Sequence, residues 1–188
     1  RSMGKQDHYA SAYGNLNVFT FNPDESVVVE PVPYQHDVKK KIESNLMLFY
    51  LKSKRDASNI LEVQQRETPN KMNELRELKK LVNPFREIFS DGVGLNRFGK
   101  ILHKGWEIKK TLTKDISSKK IDEYYRRGIE AGAIGGKLLG AGSGGFILLY
   151  VEEANQKAVI EELNELYFLP IEFDDGGTRI TYYDQHTV

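Results

Sequence analysis

The sequence predicts an α+β fold, an antiparallel sheet backed by helices. Three observations predict it. Short β-rich runs lie near both ends, a long stretch between them repeats apolar residues every three or four positions, and the order reads strands, helices, then strand–helix–strand–strand. No internal repeat or low-complexity linker interrupts that order.

The elements follow in chain order. Gly4 and Asp7 mark the start of a short helix reaching Tyr13. Leu16 to Phe21 alternates with β-type composition, Asn22-Pro23-Asp24-Glu25 signals a turn, and valine-rich Ser26 to Val32 completes a hairpin. Leu46 to Leu51 is an apolar run of strand length. Met72, Leu75, Leu78, Val82, Phe85 and Phe89 form one helical face, which Pro84 should kink or restart. Ser90-Asp91-Gly92 breaks it. Leu95, Phe98, Leu102 and Trp106 then step as a second helix to about Leu112, and Ser117 or Ser118 caps a third through about Ala131. After the glycine-dense segment Gly132–Gly145, Phe146 to Val151 reads as a strand. Glu153 to Phe168 reads as a helix with Val159, Leu163 and Leu166 inward. Ile171 to Phe173, Gly176-Gly177 and Thr178 to Tyr183 read as a closing hairpin.

Composition excludes several classes. Lys plus Arg and Asp plus Glu are 27 each, so the formal charge is zero, which argues against a dedicated nucleic-acid binder. The absence of cysteine removes disulfides, thiolate nucleophiles and Cys-based zinc sites, and fits a reducing, cytoplasmic setting. The longest apolar stretch, Phe146 to Val151, is far short of the roughly 20 residues a membrane helix needs. His8, His36, His103 and His186 show no metal-ligand spacing, so no metal site is expected on this chain. Lys109-Lys110 and Lys119-Lys120 read as solvated helix faces, and Arg126-Arg127 as surface residues.

Two stretches carry chemistry. Gly140-x-Gly142-x-x-Gly145 matches the dinucleotide glycine pattern, yet a strand rather than a helix follows it, so a dinucleotide fold fails on context. Lys137 is followed by Leu138, so a Walker A loop fails too. Two readings stay open for the glycines: backbone N–H groups converging on an anion, or a hairpin that needs close packing. In Gly4-Lys5-Gln6-Asp7, Asp7 serves either as a helix-start carboxylate or as a general base beside a cation.

Together these stretches resemble a known family. Lys137-Leu-Leu-Gly-Ala-Gly-Ser-Gly-Gly-Phe146 is similar to the third motif of the GHMP small-molecule kinases, and Gly4-Lys5-Gln6-Asp7-His8-Tyr9-Ala10 resembles the segment bearing the catalytic aspartate in their sugar-kinase branch. His103-x-Gly105-Trp106-x-x-Lys109 and Gly132-Ala133-x-Gly135-Gly136-Lys137 resemble the D-glycero-D-manno-heptose 7-phosphate kinases. The resemblance runs over nearly the whole chain.

It implies residues 1–43 as the end of an N-terminal kinase domain and 44–188 as the C-terminal domain. Asp7 would orient or deprotonate the attacking sugar hydroxyl, with Lys5 beside it. Gly140, Ala141, Gly142, Ser143, Gly144 and Gly145 would form the substrate and phosphate loop. Gly4, Gln6, Arg55, Ser58 and Lys137 are candidate substrate contacts. Ser143 stands where many members have glycine. ATP and Mg2+ would serve the complete enzyme, with a sugar phosphate as substrate and its product feeding nucleotide-sugar and surface-polysaccharide synthesis. Galactose-, fucose- and mevalonate-type kinases are the alternatives within the family. The family's Pro-x-x-x-Gly-Leu-Gly-Ser-Ser-type ATP cradle is not among these 188 residues. The chain therefore reads as a C-terminal portion, expected to be inactive and to bind no nucleotide alone, and to pair with an N-terminal half or self-associate. The reading from another class is a non-catalytic fragment or partner domain.

Overall fold

A computed structural model describes residues 5–52, 62–63, 66–114, 116–140 and 144–182. These form two compact units, one of 33–171 and one of 5–32 with 172–182.

In the smaller unit, α1 (Lys5–Tyr13) precedes a two-stranded antiparallel hairpin, β1 (Asn17–Phe21) and β2 (Val27–Pro31). The register pairs Phe19 with Val29 and Phe21 with Val27. The turn follows from its side chains. Asp24 Oδ1 accepts from the Ser26 amide at 3.0 Å and its hydroxyl at 2.6 Å, and Glu25 takes the left-handed conformation, φ 66°. Tyr9 seats α1 on the hairpin, its ring 5.9 Å from Phe19 and 5.6 Å from Phe21.

The expected closing hairpin after Ile171 is absent among the described residues; 171–182 contains no strand. Its backbone groups bond to α1 instead. The Thr178 amide donates to the Ser11 carbonyl at 3.0 Å, and the Gly176 amide turns back on Asp174 Oδ1 at 2.8 Å. A Cβ on Gly177 would lie 2.7 Å from the carbonyl carbon of Ala12, so this glycine serves a backbone-to-backbone approach rather than a hairpin turn.

The larger unit holds a four-stranded antiparallel sheet ordered β4-β5-β3-β6: β3 (Leu46–Tyr50), β4 (Ala133–Leu139), β5 (Phe146–Val151) and β6 (Tyr167–Leu169). Its helices are α2 (His36–Ser44), α3 (Met72–Lys80), α4 (Val82–Asp91), α5 (Asn96–Lys110), α6 (Lys119–Glu130) and α7 (Glu153–Glu162). The predicted antiparallel sheet backed by helices is what the chain forms.

Pro84 does restart the helix. It sits in the first turn of α4, where a missing N–H costs no intrahelical bond, just after the break at Leu81. Gly92 ends α4 in the left-handed conformation, φ 67°. Ser118 caps α6, its hydroxyl accepting from the Ile121 amide at 3.3 Å.

Side chains of β5 alternate between two packing faces. Ile147, Leu149 and Val151 join Tyr125 of α6 and Val159 of α7 in one buried cluster. Tyr150 faces the other way, its ring 5.5 Å from Phe98 of α5. The predicted helix over 153–168 ends earlier, at Glu162; Leu163 and Leu166 stay buried, and Tyr167–Leu169 pairs with β3 as a strand. Among the described residues no helix is long and apolar enough to cross a membrane.

Candidate functional site

The glycine-dense segment divides into two halves with different physical tasks. In β4, Gly135 lies against α5; a Cβ there would stand 2.7 Å from the carbonyl carbon of Gly99 and 2.9 Å from His103 Cβ. A Cβ on Gly136 would stand 2.8 Å from Leu149 Cδ2. These two glycines exist for packing, and they make β4 a strand whose composition does not announce one.

Gly140 and Gly145, at the ends of the β4–β5 turn, are different. Both have positive φ, 88° and 97°. A Cβ on Gly140 would meet nothing within 4 Å, so its backbone faces open space. A hydrogen bond tethers each end of the turn: Lys109 Nζ donates to the Gly140 carbonyl at 3.0 Å, and the Leu51 amide donates to the Gly145 carbonyl at 3.0 Å. Gly144 is half-buried beside it. Both described ends of the turn are thus anchored, and each is a glycine without a Cβ. Ala141, Gly142 and Ser143 lie outside the described residues, as do Gly4, Arg55 and Ser58.

Lys137 stands half-buried on β4, where burial pushes its ammonium pKa down. Lys109 is no solvated face. Burial, and then repulsion from Lys137, push it down to about 8. Neighbouring Lys110 behaves as expected of a surface lysine, paired with Glu107 at 2.8 Å.

Tyr125 is a residue that the sequence pattern does not single out. Its hydroxyl lies 2.8 Å from His103 Nδ1 and donates to the Gly136 carbonyl at 3.2 Å, tying α5, α6 and β4 together. Burial, then the Glu107 carboxylate, push its pKa up. Arg126 and Arg127 are spent on ion pairs: Arg126 with Glu123 and Glu130 on its own helix, Arg127 with Glu162 and Glu165 beyond it.

In the smaller unit, Lys5, Gln6 and Asp7 form the exposed first turn of α1. Lys5 Nζ lies 3.9 Å from Glu25 Oε2 across the hairpin turn. Asp7 is exposed to solvent. Among the described residues no group of three His, Asp or Glu side chains could hold a metal ion.

Residues 94–168 match the family model described as GHMP kinases C terminal. A D-glycero-alpha-D-manno-heptose 7-phosphate kinase of Campylobacter jejuni is 28% identical over 171 residues, covering 86% of this chain and 48% of that protein. A mevalonate kinase of Methanocaldococcus jannaschii is 31% identical over 110 residues, 55% of this chain and 34% of that protein. Among solved structures, a D-glycero-D-manno-heptose 1-phosphate kinase from Bacteroides thetaiotaomicron superposes with a TM-score of 0.63 at 26% identity, over 96% of this chain and 50% of that one. The chain spans about half the length, or less, of the curated relatives it matches.

Proposed function

We propose, from the match of residues 94–168 to the GHMP kinases C terminal model, that the full-length protein is an ATP-dependent cytoplasmic kinase acting on a hydroxyl of a sugar phosphate, with heptose 7-phosphate as its substrate. The β4–β5 turn carries this reading. It lies within the family match, its described ends are glycines at positive φ, and the backbone at Gly140 faces open space rather than packed side chains. Similarity to a heptose 7-phosphate kinase over 86% of the chain supports the substrate class.

The chemistry assigned to this chain is acceptor positioning and proton removal. Asp7 accepts the proton of the sugar hydroxyl as its oxygen attacks the γ-phosphorus, while the bond from that phosphorus to the leaving ADP oxygen breaks. Lys5 places a positive charge in the same helical turn. ATP brings the phosphoryl group, and Mg2+ neutralises its charge.

Steady-state kinetics of the full-length protein test this. D-glycero-D-manno-heptose 7-phosphate should be phosphorylated with a higher kcat/KM than galactose or mevalonate. Asp7→Asn should lower kcat by about 10²–10⁴-fold, the contribution of a general base, without lowering Tm. Preference for galactose or mevalonate would move the substrate to another branch. Full activity of Asp7→Asn would remove Asp7 from the mechanism. No turnover of any of these acceptors would favour a non-catalytic binding role.

A further inference from the structure

A cavity of about 260 Å³ opens among α3, α4, α5 and β4. Its walls are apolar: Leu78, Leu81, Val82, Phe85, Ile101 and Trp106 among them. Lys109 and Lys137 line the same space. Neither lysine has a carboxylate partner among the described residues, although the chain supplies one to adjacent Lys110 through Glu107. The indole Nε1 of Trp106, a residue only 1% exposed, also donates to no partner among the described residues.

Two ammonium groups sharing a partly desolvated space repel each other, and each is disfavoured by its burial. An apolar cavity alone holds no water well and favours hydrocarbon. One ligand type relieves the repulsion between the ammonium groups and fills the apolar space at once. We propose that this cavity binds a small amphipathic anion, its apolar body against Trp106 and the leucines and its anionic head between Lys109 and Lys137. The volume lies below the roughly 300–1,000 Å³ of drug-sized pockets, so the body is a short chain or a single ring. Burial, and then Lys137, lower the basicity of Lys109, and an anion beside both lysines would raise it again. The inference goes beyond the kinase reading and its test reads binding alone, although Lys109 also tethers Gly140.

Calorimetric titration of the full-length protein with n-hexyl phosphate, 1-hexanol and inorganic phosphate tests it. Hexyl phosphate should bind at one site per chain, at least tenfold more tightly than either of the others. Lys137→Met, which keeps the stem and removes the charge, should weaken hexyl phosphate at least tenfold and leave hexanol unchanged. Gly105→Ala places a methyl group 3.4 Å from Leu81 Cδ1 and 4.0 Å from Leu78 Cδ2, inside the cavity wall. It should weaken hexyl phosphate while Tm holds or rises, which separates occupancy from unfolding. Equal affinity for inorganic phosphate would overturn the apolar body. No binding of hexyl phosphate at millimolar concentration, or an unchanged affinity in Lys137→Met, would overturn the site.

Discussion

Gly135→Ala should be among the most damaging single-methyl changes in this protein. Its new Cβ would sit 2.7 Å from the Gly99 carbonyl carbon and 2.9 Å from His103 Cβ, where carbon atoms normally rest at about 3.5–4.0 Å. Both obstacles are stiff, one being the backbone of α5 and the other the root of a side chain on it. Relief therefore requires α5 to lift from β4 by roughly an ångström. Overpacking of this kind costs about 1–3 kcal/mol, and the rigid neighbours place it at the upper end. Gly105→Ala, six residues further along the same helix, meets only the mobile ends of Leu81 and Leu78. There alanine should stabilise by up to about 1 kcal/mol through helix propensity. Urea and thermal unfolding of the full-length protein should therefore separate the two alanines in opposite directions, with Gly135→Ala several degrees below the parent. A Gly135→Ala protein melting within about 1 °C of the parent would refute the close approach of α5 to β4.

Other expectations follow from the same contacts. Tyr125→Phe removes the hydroxyl between His103 and the Gly136 carbonyl and should cost about 1–2 kcal/mol in urea unfolding. Lys109 holds its proton less tightly folded, at about 8, than unfolded, at about 10.4. Between those values the unfolded chain binds more protons, so this residue adds stability as pH rises and loses it as pH falls through 8. Lys109→Met should flatten that slope in urea midpoints measured across the range. Arg127→Met, which severs α6 from Glu162 and Glu165, should lower Tm more than Arg126→Met, whose partners lie on its own helix. Molar salt should narrow the difference.

The hairpin of β1 and β2 was legible because alternation and a turn sequence agree, and α5 because Phe98, Leu102 and Trp106 repeat on one face. Helix α2 escaped notice because it buries only two apolar residues, Val38 and Ile42, on either side of three lysines. Strand β4 was hidden by Gly135 and Gly136, which strands usually avoid. Their reason lies in Gly99 and Leu149, distant in sequence. The end of α7 was misplaced because Leu163 and Leu166 continue the helical spacing, while the backbone of β3 recruits Tyr167–Leu169 as a partner strand. For the site, Lys5, Gln6 and Asp7 were visible as a motif at a helix start. The environment of Lys109 was not, since a lysine pair reads as solvated until Lys137 is brought beside it.

The two readings of the glycine-dense segment are therefore not rivals for the same residues. Gly135 and Gly136 answer to packing, because any side chain there collides with α5 or with Leu149. Gly140 cannot be explained so, because a Cβ would touch nothing. Its backbone takes φ 88°, and its carbonyl is held by Lys109. A helix pressed onto β4 by the first pair of glycines delivers the very lysine that tethers Gly140. The packing glycines thus set where α5 lies against β4, and Gly140, held by that helix's Lys109, answers to backbone conformation instead.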